Sequence, residues 1–443
     1  MVKLASALSR LNAAKVMIVG DLLLDMYTVG KARRISPEAP VAIVNVQKEE
    51  YRPGGAGNVA LNLISLGAQV VPIARIGNDW AGNLLKEAFQ SEGMDTDSIF
   101  IQEHFQTPIK NRIIVENQQI VRVDYENVTP LSEQLEQKII DALPALMQNI
   151  AIIAISDYGK GFLTTTLLSA IIGHAKRLKI PVVADPKGND FGKYSGTTVI
   201  KPNLSEAFAA ANLSPEAPLE QVAKRILEIA DAEMLMITRS EAGISLFESN
   251  GERHDFPVHI KQVKDVTGAG DTVLAMLTYA LANKLSYTEA AQLCNIAAGI
   301  AIERIGCARV GLADLASRLF ERDVSHKIFD EDHLFVLQEV LRPLSFNLLA
   351  ISNTVEFSHQ LFSAIKQLSQ NNTRLLVYVI EPESGENFIE ILSSLKEVHF
   401  IVLHKDNFRR LFSVIRPIES YLFNTSGLES VMHIEQIFET GSV

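Results

Sequence analysis

The amino-acid sequence predicts an α/β protein with a mostly parallel central sheet, a small β lid and a second, smaller C-terminal α/β domain. Strand-like and helical runs alternate up to about residue 310, which is typical of a parallel sheet covered by helices. Two strand-like stretches, residues 41–47 and 109–124, break this alternation and indicate the lid. The α/β pattern starts again near residue 345. These three observations define the predicted architecture.

The individual elements follow from the spacing of apolar residues along the chain. Short apolar runs predict strands at residues 16–20, 70–76, 151–155, 181–184, 197–201 and 234–238. Longer runs predict helices at residues 57–66, 80–90, 132–148, 164–177, 216–230, 271–283 and 287–304. Open α/β sheets bind ligands beyond the carboxyl ends of their strands, so the polar residues that follow these strands are candidate site residues.

The same pattern divides the chain into segments. A first domain is expected over residues 1–315, with its lid at about 41–50 and 108–125. Residues 316–344 are charged and helical, and we expect them to form a linker. A second domain is expected over 345–443, about 100 residues, which is enough for a small core. Exposed lid edges favour pairing between two chains, so a homodimer is expected.

Bulk composition limits the classes of function. The chain has 443 residues, a net charge of −11 and a pI near 5.5, which argues against a general nucleic-acid binder. Its two cysteines, Cys294 and Cys307, lack metal-type spacing and are expected to be buried free thiols. Because no apolar run reaches the roughly 18 residues that span a bilayer, we expect a cytoplasmic protein without membrane contact.

Residues 265–272, Asp-Val-Thr-Gly-Ala-Gly-Asp-Thr, lead directly into an apolar helical run. The first N–H groups of a helix have no internal partner and attract anions, and Gly268, Ala269 and Gly270 let the backbone approach closely. Asp271 would repel that anion, which makes sense if it is a base that takes a proton from an attacking hydroxyl during phosphoryl transfer. The alternative is a glycine-rich turn capped by an aspartate.

The segment Gly54-Gly55-Ala56-Gly57-Asn58 precedes another predicted helix. Its spacing superficially fits a dinucleotide fingerprint, but such a match is weak alone, and the preceding strand belongs to the lid. We interpret it as a rim without bulky side chains that brings Asn58 against a polyhydroxyl substrate. Asp21 and Asp25 flank the end of the first strand, where carboxylates accept hydrogen bonds from sugar hydroxyls. Alternatively, Asp21 caps the following turn.

Further polar residues follow later strands. Lys160 and Lys187 are candidates for a substrate phosphate, although a lysine after a strand is usually a solvated surface residue. Asn203 and Glu206 share one helix face and are expected to reach the Mg²⁺ shell of a nucleotide together. The small polar loop from Thr238 to Gly243 suits phosphate tails. No Walker A sequence is present, so a phosphotransferase would use the 265–272 loop as its phosphate site.

Together these segments resemble the ribokinase-like sugar kinases, whose two signatures match residues 54–58 and 265–271. Within that family, roughly residues 5–315 are similar to the kinase half of the bifunctional enzymes of ADP-heptose synthesis. Further matching segments are Arg34-Ile35-Ser36-Pro37-Glu38-Ala39-Pro40, Asn117-Gln118-Gln119, Ser156-Asp157-Tyr158-Gly159-Lys160-Gly161, Asp185-Pro186-Lys187-Gly188, Pro202-Asn203-Leu204-Ser205-Glu206 and Thr238-Arg239-Ser240.

This resemblance implies a ribokinase-like fold and phosphorylation of D-glycero-D-manno-heptose 7-phosphate at O1 with Mg·ATP, for lipopolysaccharide synthesis. It makes Asp271 the catalytic base and the 268–270 amides the anion hole. The expected sugar-binding residues are Asp21, Gly54, Gly55 and Asn58, and the expected ATP-binding residues are Asn203, Leu204, Ser205 and Glu206. Glu206 would reach Mg²⁺ indirectly, and the family often uses a monovalent cation such as K⁺. A kinase for another sugar phosphate or a nucleoside is the alternative.

For the second domain, the resemblance implies a nucleotidyltransferase-like fold, in which an adenylyltransferase carries a His-x-Gly-His motif. This sequence has no such motif. His359 stands where the first histidine is expected, but Leu361 and Phe362 replace the glycine and the second histidine. Phenylalanine cannot donate a hydrogen bond to a phosphate, so we expect adenylyl transfer to be lost. The alternatives are a bifunctional enzyme that retains it, or a domain used for binding, dimerisation or stability.

Overall fold

We describe the protein from a computed structural model. The structure describes residues 2–116, 118–258, 263–304, 306–323, 327–329, 334–351, 355, 357–370, 373–380, 386–403 and 416–432. Contacts divide the chain into two compact units. One unit is Leu11–Gly311, and the other combines Met1–Arg10 with Leu312–Val443. The first helix, α1 (Val2–Ser9), therefore belongs to the same unit as the C-terminal region.

The unit Leu11–Gly311 alternates strands and helices. Its strands are β1 (Lys15–Gly20), β2 (Leu22–Ile35), β3 (Ala42–Gly55), β4 (Gln69–Ile76), β5 (Ile99–Ile101), β6 (Ile109–Val115), β7 (Gln118–Tyr125), β8 (Ile152–Ser156), β9 (Val182–Asp185), β10 (Val199–Ile200), β11 (Met234–Thr238), β12 (Ile244–Glu248) and β13 (Arg253–Phe256). Its helices are α2 (Ala56–Ser65), α3 (Trp80–Ser91), α4 (Glu133–Leu146), α5 (Thr165–Leu178), α6 (Leu204–Ala211), α7 (Leu219–Ala230), α8 (Ala269–Ala282) and α9 (Tyr287–Ile302).

Nine of these strands form the central sheet, in the order β13-β12-β11-β10-β9-β8-β1-β4-β5. Neighbours from β11 to β5 pair in parallel, whereas β12 pairs antiparallel with both β11 and β13. The chain continues from β1 to β4 on one side and from β8 to β9 on the other, so the strand order reverses beside β1. Such a switch point leaves a ligand crevice at the carboxyl ends of the strands. The predicted α/β class is confirmed.

The core of this unit lies between the sheet and its helices. The strand Ile152-Ile153-Ala154-Ile155-Ser156 is buried throughout, which is typical of a parallel strand covered on both faces. Helix α7 buries Val222, Ile226 and Ala230, the i, i+4 spacing of an amphipathic helix. The packed sheet and its helices therefore hold in place the polar residues that follow the strands.

A second, four-stranded sheet has the order β3-β2-β6-β7 and corresponds to the expected lid. The sequence did not predict β2, and it placed Asp25 beside the end of the first strand. In the structure Asp25 lies inside β2. The first four residues of β2, Leu22 to Asp25, are all buried, so the alternation that reveals a half-exposed strand is absent there. Asn117, from the matching segment Asn117-Gln118-Gln119, lies outside the described residues.

Other elements differ from the prediction in their bounds. The predicted strand 197–201 is the two-residue strand β10. The helix predicted over 216–230 begins at Leu219, after Pro218 as its N-cap. A separate helix, α6, precedes it because Asn203 and Glu206 form a reciprocal capping box. The antiparallel strands β12 and β13 were not predicted.

The other unit is also α/β. Its strands are β14 (Ile328–Phe329), β15 (Phe346–Ile351), β16 (Arg374–Val379), β17 (Phe400–Leu403), β18 (Ser420–Asn424) and β19 (Gly427–Val431). Besides α1, its helices are α10 (Leu312–Asp323), α11 (Leu334–Leu341), α12 (His359–Leu368) and α13 (Glu386–Ser394). The sheet order is β14-β17-β16-β15-β18-β19, with parallel pairing except between β18 and β19.

The boundaries of this unit differ from the prediction, which placed residues 1–10 in the first domain and 316–344 in a linker. Leu4, Ala7 and Leu8 of α1 are buried, and α1 contacts both α10 and α11. Strand β14 pairs with β17. Residues 312–341 are thus part of the second unit, because their apolar faces are buried within it.

The structure also bears on the cysteines and on membrane-spanning segments. Cys294 and Cys307 are both buried and free, as expected. Among the described residues, no helix is long and apolar enough to cross a membrane.

Candidate active site

Four neighbouring strands of the central sheet place polar side chains at one edge. Asp21 follows β1, Tyr158 lies two residues after β8, Asp185 ends β9 and Lys201 follows β10. Asp21 and Lys201 are buried. Because these strands are parallel neighbours, their carboxyl ends form one crevice. The predicted site residues near these positions are therefore neighbours in space.

Asp271 lies in the first turn of α8 and is 3% exposed. Its Oδ2 accepts a 2.8 Å hydrogen bond from Asn58 Nδ2. Its Oδ1 accepts a 2.7 Å hydrogen bond from Tyr158 Oη. The two glycine-rich sequence segments, near residues 58 and 271, thus meet at one carboxylate that has a donor on each oxygen.

The electrostatic environment of Asp271 suits a proton acceptor. Burial raises its pKa to about 7, because the carboxylate loses hydration. The hydrogen bonds from Asn58 and Tyr158 and the charge of Lys201 oppose this shift, while Asp185 adds to it. A carboxyl group with a pKa near 7 is partly ionised at neutral pH and is strong enough as a base to accept a hydroxyl proton.

The amino end of α8 has the form expected of an anion hole. Gly268 caps the helix in the left-handed region, with φ of 78°. A Cβ at Gly268 would lie 2.7 Å from Asn58 Nδ2, so a side chain would push Asn58 away from Asp271. A Cβ at Gly270 would meet no atom within 4 Å, so the space beside it is open. The Ala269 N–H donates to the Val266 carbonyl at 3.3 Å, whereas the N–H groups that follow at the start of a helix have no acceptor in a preceding turn.

Asp21 lies where the sequence predicted a substrate-binding carboxylate. Its Oδ2 accepts hydrogen bonds from the backbone N–H groups of Tyr158, at 3.0 Å, and Lys160, at 3.1 Å. Burial, together with the nearby charge of Asp157, raises the pKa of Asp21. The bonds from the 158–160 backbone fix the position of this carboxylate, leaving Oδ1 as a candidate acceptor for a ligand hydroxyl.

The predicted glycine rim is part of the lid. Gly54 and Gly55 end β3 and pair with Leu23 and Leu22 of β2. Next to them, Asp25 forms a buried ion pair with Arg112 from β6.

Cys307 also contacts this carboxylate, since its thiol donates to Asp25 Oδ2 at 3.4 Å. Burial raises the pKa of Cys307, so the thiol stays protonated. Arg112 and Cys307 were not predicted as site residues.

Lys160 approaches the lid. Its Nζ lies 2.7 Å from Glu126 Oε1, immediately after β7. Lys110 of β6 has its Nζ 5.4 Å from the ring centroid of Tyr158. Burial lowers the pKa of Lys110, the charge of Lys160 lowers it further, and Glu126 opposes these effects. Two ammonium groups thus lie near one carboxylate at the base of the lid.

Arg75 fixes the backbone of this region. It is 2% exposed, and its Nη1 donates to Gln102 Oε1 at 2.7 Å and to the Pro130 carbonyl at 3.0 Å. Its Nη2 donates to the carbonyls of Thr129 and, at 2.8 Å, Lys160. Burial lowers the pKa of Arg75 to about 10. This single side chain therefore ties the Lys160 loop to the segment that leaves the lid.

The ammonium groups of Lys187 and Lys160 have different partners. Its Nζ lies 2.8 Å from Glu206 Oε1, whereas Lys160 contacts Glu126. Glu206 Oε2 accepts the Asn203 N–H at 3.0 Å as part of the α6 cap. The prediction that both lysines hold one substrate phosphate therefore has no support in these contacts. Lys187 lies on the side of the crevice that the sequence assigned to the nucleotide.

A cavity of about 430 Å³ adjoins the amino end of α8. Predicted residues that line it are Asn203, Thr238, Ala269, Gly270 and Gly243. Much of the remaining lining is apolar and consists of Ile244, Val258, Val263, Val266, Val273, Ala298, Gly299 and Ile302. Leu204 and Ser205 line a neighbouring cavity that shares Asn203 and Thr238. An apolar cleft beside an anion hole suits a planar base that carries phosphates.

The fold and this site define a class of protein, an α/β phosphotransferase with a ribokinase-like fold. The chain belongs to the pfkB family of carbohydrate kinases, because residues 13–313 match the family described as pfkB family carbohydrate kinase. The matched range coincides closely with the unit Leu11–Gly311. It includes every site residue discussed above.

Several relatives bear the name Bifunctional protein HldE. The relative from Trichlorobacter lovleyi is 44% identical over 340 residues, 76% of this chain and 69% of the relative. That from Geobacter metallireducens is 46% identical over 301 residues, 68% of this chain and 61% of the relative. That from Geotalea uraniireducens is 36% identical over 436 residues, 94% of this chain and 89% of the relative. Some of these matches thus span less than two thirds of the relative's length, whereas the last extends into the second unit.

Solved structures support the fold. Arabidopsis thaliana ribokinase complexed with ribose and ATP matches with a TM-score of 0.55 at 17% identity, covering 70% of this chain and 99% of that structure. Phosphofructokinase-2 from Escherichia coli in complex with substrates and products matches with a TM-score of 0.58 at 18% identity, with the same coverage. At these identities the likeness shows the ribokinase-like fold.

Proposed function

We propose that this chain transfers the γ-phosphoryl group of ATP to O1 of D-glycero-D-manno-heptose 7-phosphate, giving the 1,7-bisphosphate for ADP-heptose and lipopolysaccharide core synthesis. The observation that carries the proposal is Asp271, buried at the amino end of α8 with a donor on each oxygen. The pfkB family match supports the reaction class, and the sequence resemblance to the ADP-heptose enzymes supports the substrate. We also propose a cytoplasmic location, where ATP is available.

In the proposed reaction the acceptor oxygen forms a bond to the γ-phosphorus while the bond from that phosphorus to the bridging oxygen of ADP breaks. Asp271 accepts the proton of the acceptor hydroxyl. The helix amides at Gly268, Ala269 and Gly270 stabilise negative charge on the phosphoryl oxygens. Asp21 and Asn58 orient the sugar, with Gly54 and Gly55 as its rim.

The proposed substrate carries a second phosphate, and the lysines at the base of the lid are its candidate site. Lys160 and Lys110 both lie near the carboxylate of Glu126, so an anionic group already lies beside these two lysines. A substrate phosphate there would gain charge-assisted hydrogen bonds from both ammonium groups. An uncharged sugar or a nucleoside has no use for this pair, so these acceptors are less well matched than a sugar phosphate.

The nucleotide would occupy the 430 Å³ cavity, with its phosphates towards Thr238, Gly243 and the amino end of α8. Burial raises the pKa of Asp185, and the charge of Glu206 adds to this shift. These two carboxylates are our candidate ligands for Mg²⁺, which prefers carboxylate oxygens and water. Because Glu206 already contacts Lys187 and Asn203, it would hold the ion through water. Bound Mg²⁺ would neutralise phosphate charge.

A monovalent cation such as K⁺ beside the 265–272 loop is also part of the proposal. Phosphofructokinase-2 from Escherichia coli, which shares the fold, has been solved in complex with potassium. The expected measurement is a rise in the rate of phosphorylation when K⁺ replaces a bulky organic cation at constant ionic strength.

We propose that the second unit keeps a nucleotidyltransferase-like fold without adenylyl transfer. The match to the Geotalea uraniireducens relative named Bifunctional protein HldE extends into it, but here the His-x-Gly-His motif is absent, and His359 opens α12 with Leu361 buried two residues later. The full chain is expected to make no ADP-heptose from ATP and heptose 1-phosphate. Formation of that product would establish the bifunctional alternative.

We propose a homodimer formed through the lid. The outer strands β3 and β7 expose several large apolar side chains, namely Val46, Tyr51, Ile120, Val121, Val123 and Tyr125. Exposed apolar strands of this kind favour association. Light scattering should show a dimer for the natural chain and a monomer for Val121→Asp. A natural chain that stays monomeric at high concentration would exclude this arrangement.

The decisive experiment is a coupled ATPase assay on the full chain with a panel of acceptors. Heptose 7-phosphate, the same heptose without phosphate, fructose 6-phosphate, ribose and adenosine are compared, and ³¹P NMR identifies the product. We expect turnover with heptose 7-phosphate and a new anomeric phosphate. If the chain prefers another phosphorylated sugar or adenosine, the proposed substrate is wrong but the proposed kinase activity stands.

A further inference from the structure

The residue that links most parts of the site is Tyr158, which was not predicted as a site residue. Its hydroxyl donates to Asp271 Oδ1 at 2.7 Å, and its backbone N–H donates to Asp21 Oδ2 at 3.0 Å. Its ring faces Lys110 of the lid, 5.4 Å from the ammonium nitrogen. One residue therefore contacts the proposed base, the proposed sugar-binding carboxylate and the lid.

We propose that Tyr158 is a positioning residue that sets the orientation and the ionisation of Asp271 through its hydroxyl. The inference rests on the proposed role of Asp271 as the base. It goes beyond that role because it assigns control of the base to a side chain that does not transfer the proton.

The geometry explains the need for such a residue. Asp271 is buried, so water does not orient its carboxylate or stabilise its charge. Asn58 holds Oδ2, and a single donor would leave the carboxylate free to turn about its χ2 axis. A second donor on Oδ1 fixes the plane of the group. Because each carboxylate oxygen has two lone-pair positions, Oδ1 can bind Tyr158 and an acceptor hydroxyl together.

The chemistry of tyrosine suits this task. Burial and the adjacent charge of Asp271 raise the pKa of Tyr158 well above its usual value, so the phenol keeps its proton and remains a donor. Its hydrogen bond lowers the pKa of Asp271 against the effect of burial. The other groups whose charges act on these two residues are Asp185, Lys201 and Cys307. None of these three donates to the Asp271 carboxylate among the described hydrogen bonds.

The test is the substitution Tyr158→Phe, which keeps the ring beside Lys110 and removes only the hydroxyl. The protein is labelled with ¹³C at aspartate carboxyl carbons, and the Asp271 signal is identified by its loss in Asp271→Asn. Titration without any substrate should give a pKa near 7 in the natural chain. In Tyr158→Phe we expect this value to rise by about one unit, because a hydrogen bond to the charged form is lost.

The kinetic readout should follow the titration. In Tyr158→Phe the acidic fall of kcat/KM should move to higher pH by the same amount, and kcat should fall about tenfold or more at its plateau. The KM for ATP should stay within about twofold, because the hydroxyl does not face the nucleotide cavity. A purely structural role would instead lower stability without moving the titration of Asp271.

Two further variants complete the experiment. Tyr279→Phe is the matched control. Tyr279 lies on α8, the same helix as Asp271, and among the described contacts its hydroxyl donates only to the Asn12 carbonyl, at 3.0 Å. It should leave the Asp271 titration unchanged. With 3-fluorotyrosine at position 158, a stronger donor, the Asp271 pKa should move down. Unchanged titration in both position-158 variants would overturn the inference. If the natural chain is inactive on heptose 7-phosphate, only the proposed substrate is wrong, because the titration of Asp271 is measured without substrate.

Discussion

Asn58 Nδ2 donates a 2.8 Å hydrogen bond to Asp271 Oδ2, although 213 positions separate the two residues. The orientation of the Asn58 amide is itself fixed, because Asn62 Nδ2 donates to Asn58 Oδ1 at 3.3 Å and to its carbonyl at 3.0 Å. Asn62 Oδ1 in turn accepts the Val310 N–H at 3.1 Å. A chain of buried amides on α2 thus leaves Asn58 Nδ2 free to serve Asp271.

The first prediction concerns the base. Asp271→Asn removes the proton acceptor but leaves the cavity unchanged, so kcat should fall by about 10³-fold while ATP still binds. Steady-state kinetics and calorimetric titration with ATP measure the two effects. Asp141→Asn, on the exposed surface of α4, serves as the control and should behave as the natural chain. Residual turnover above a tenth of the natural rate would show that Asp271 is not the catalytic base.

A second prediction links Asp271 to stability. Its pKa is raised from 3.8 to about 7 on folding, so its contribution to stability is fully present below about pH 4 and is lost as the pH rises through about 7. Asp271→Asn lacks this titration. Relative to the natural chain, its free energy of unfolding should therefore increase by up to about 4 kcal/mol between pH 4 and pH 8. Urea unfolding at both pH values measures this change, and parallel pH profiles would contradict it.

The third prediction separates two lysines. Lys160→Met should raise the KM for heptose 7-phosphate about tenfold or more and leave the KM for ATP nearly unchanged, because Lys160 lies by the lid with Glu126. Lys187→Met should do the reverse, since Lys187 contacts Glu206 at the nucleotide side. The two variants are each other's controls. If both substitutions raise the KM for heptose 7-phosphate equally, the two lysines share one phosphate site.

The fourth prediction concerns the loop after β11. Gly243 has a φ of 85°, and a Cβ there would overlap the Phe256 carbonyl oxygen. Gly243→Ala should lower the free energy of unfolding by about 2–3 kcal/mol and raise the KM for ATP. Gly251→Ala is the matched control, because its φ is 91° but the added Cβ meets nothing within 4 Å. It should cost only about 1 kcal/mol and spare ATP binding.

Much of the site could be predicted from the sequence because its key residues stand in local patterns. The glycines and Asp271 lie within eight consecutive residues that lead into a helix, and Asn58 lies within five. Helix start signals and apolar strands are local properties of the chain. They were sufficient to place six of the nine strands of the central sheet, most of its helices and the two signature loops.

The sequence could not show partners that are far apart along the chain. Tyr158, Arg112 and Arg75 look like ordinary residues after or within strands, and only folding brings them to Asp271, Asp25 and the Lys160 carbonyl. The same limit applies to Lys187. Its distance from Glu206 depends on how β9 and β10 lie side by side, whereas the sequence indicates only that both residues follow strands.

The sequence by itself therefore determined the α/β class, the family and the identity of the candidate base. The tertiary structure decided which oxygen of Asp271 each donor holds, which carboxylate each lysine contacts, and that α1 and residues 312–341 belong to the second unit. The physical reason is that periodicity and helix capping act within a few residues. Burial, hydrogen bonding and the resulting pKa shifts depend on atoms that the fold brings together from distant parts of the chain.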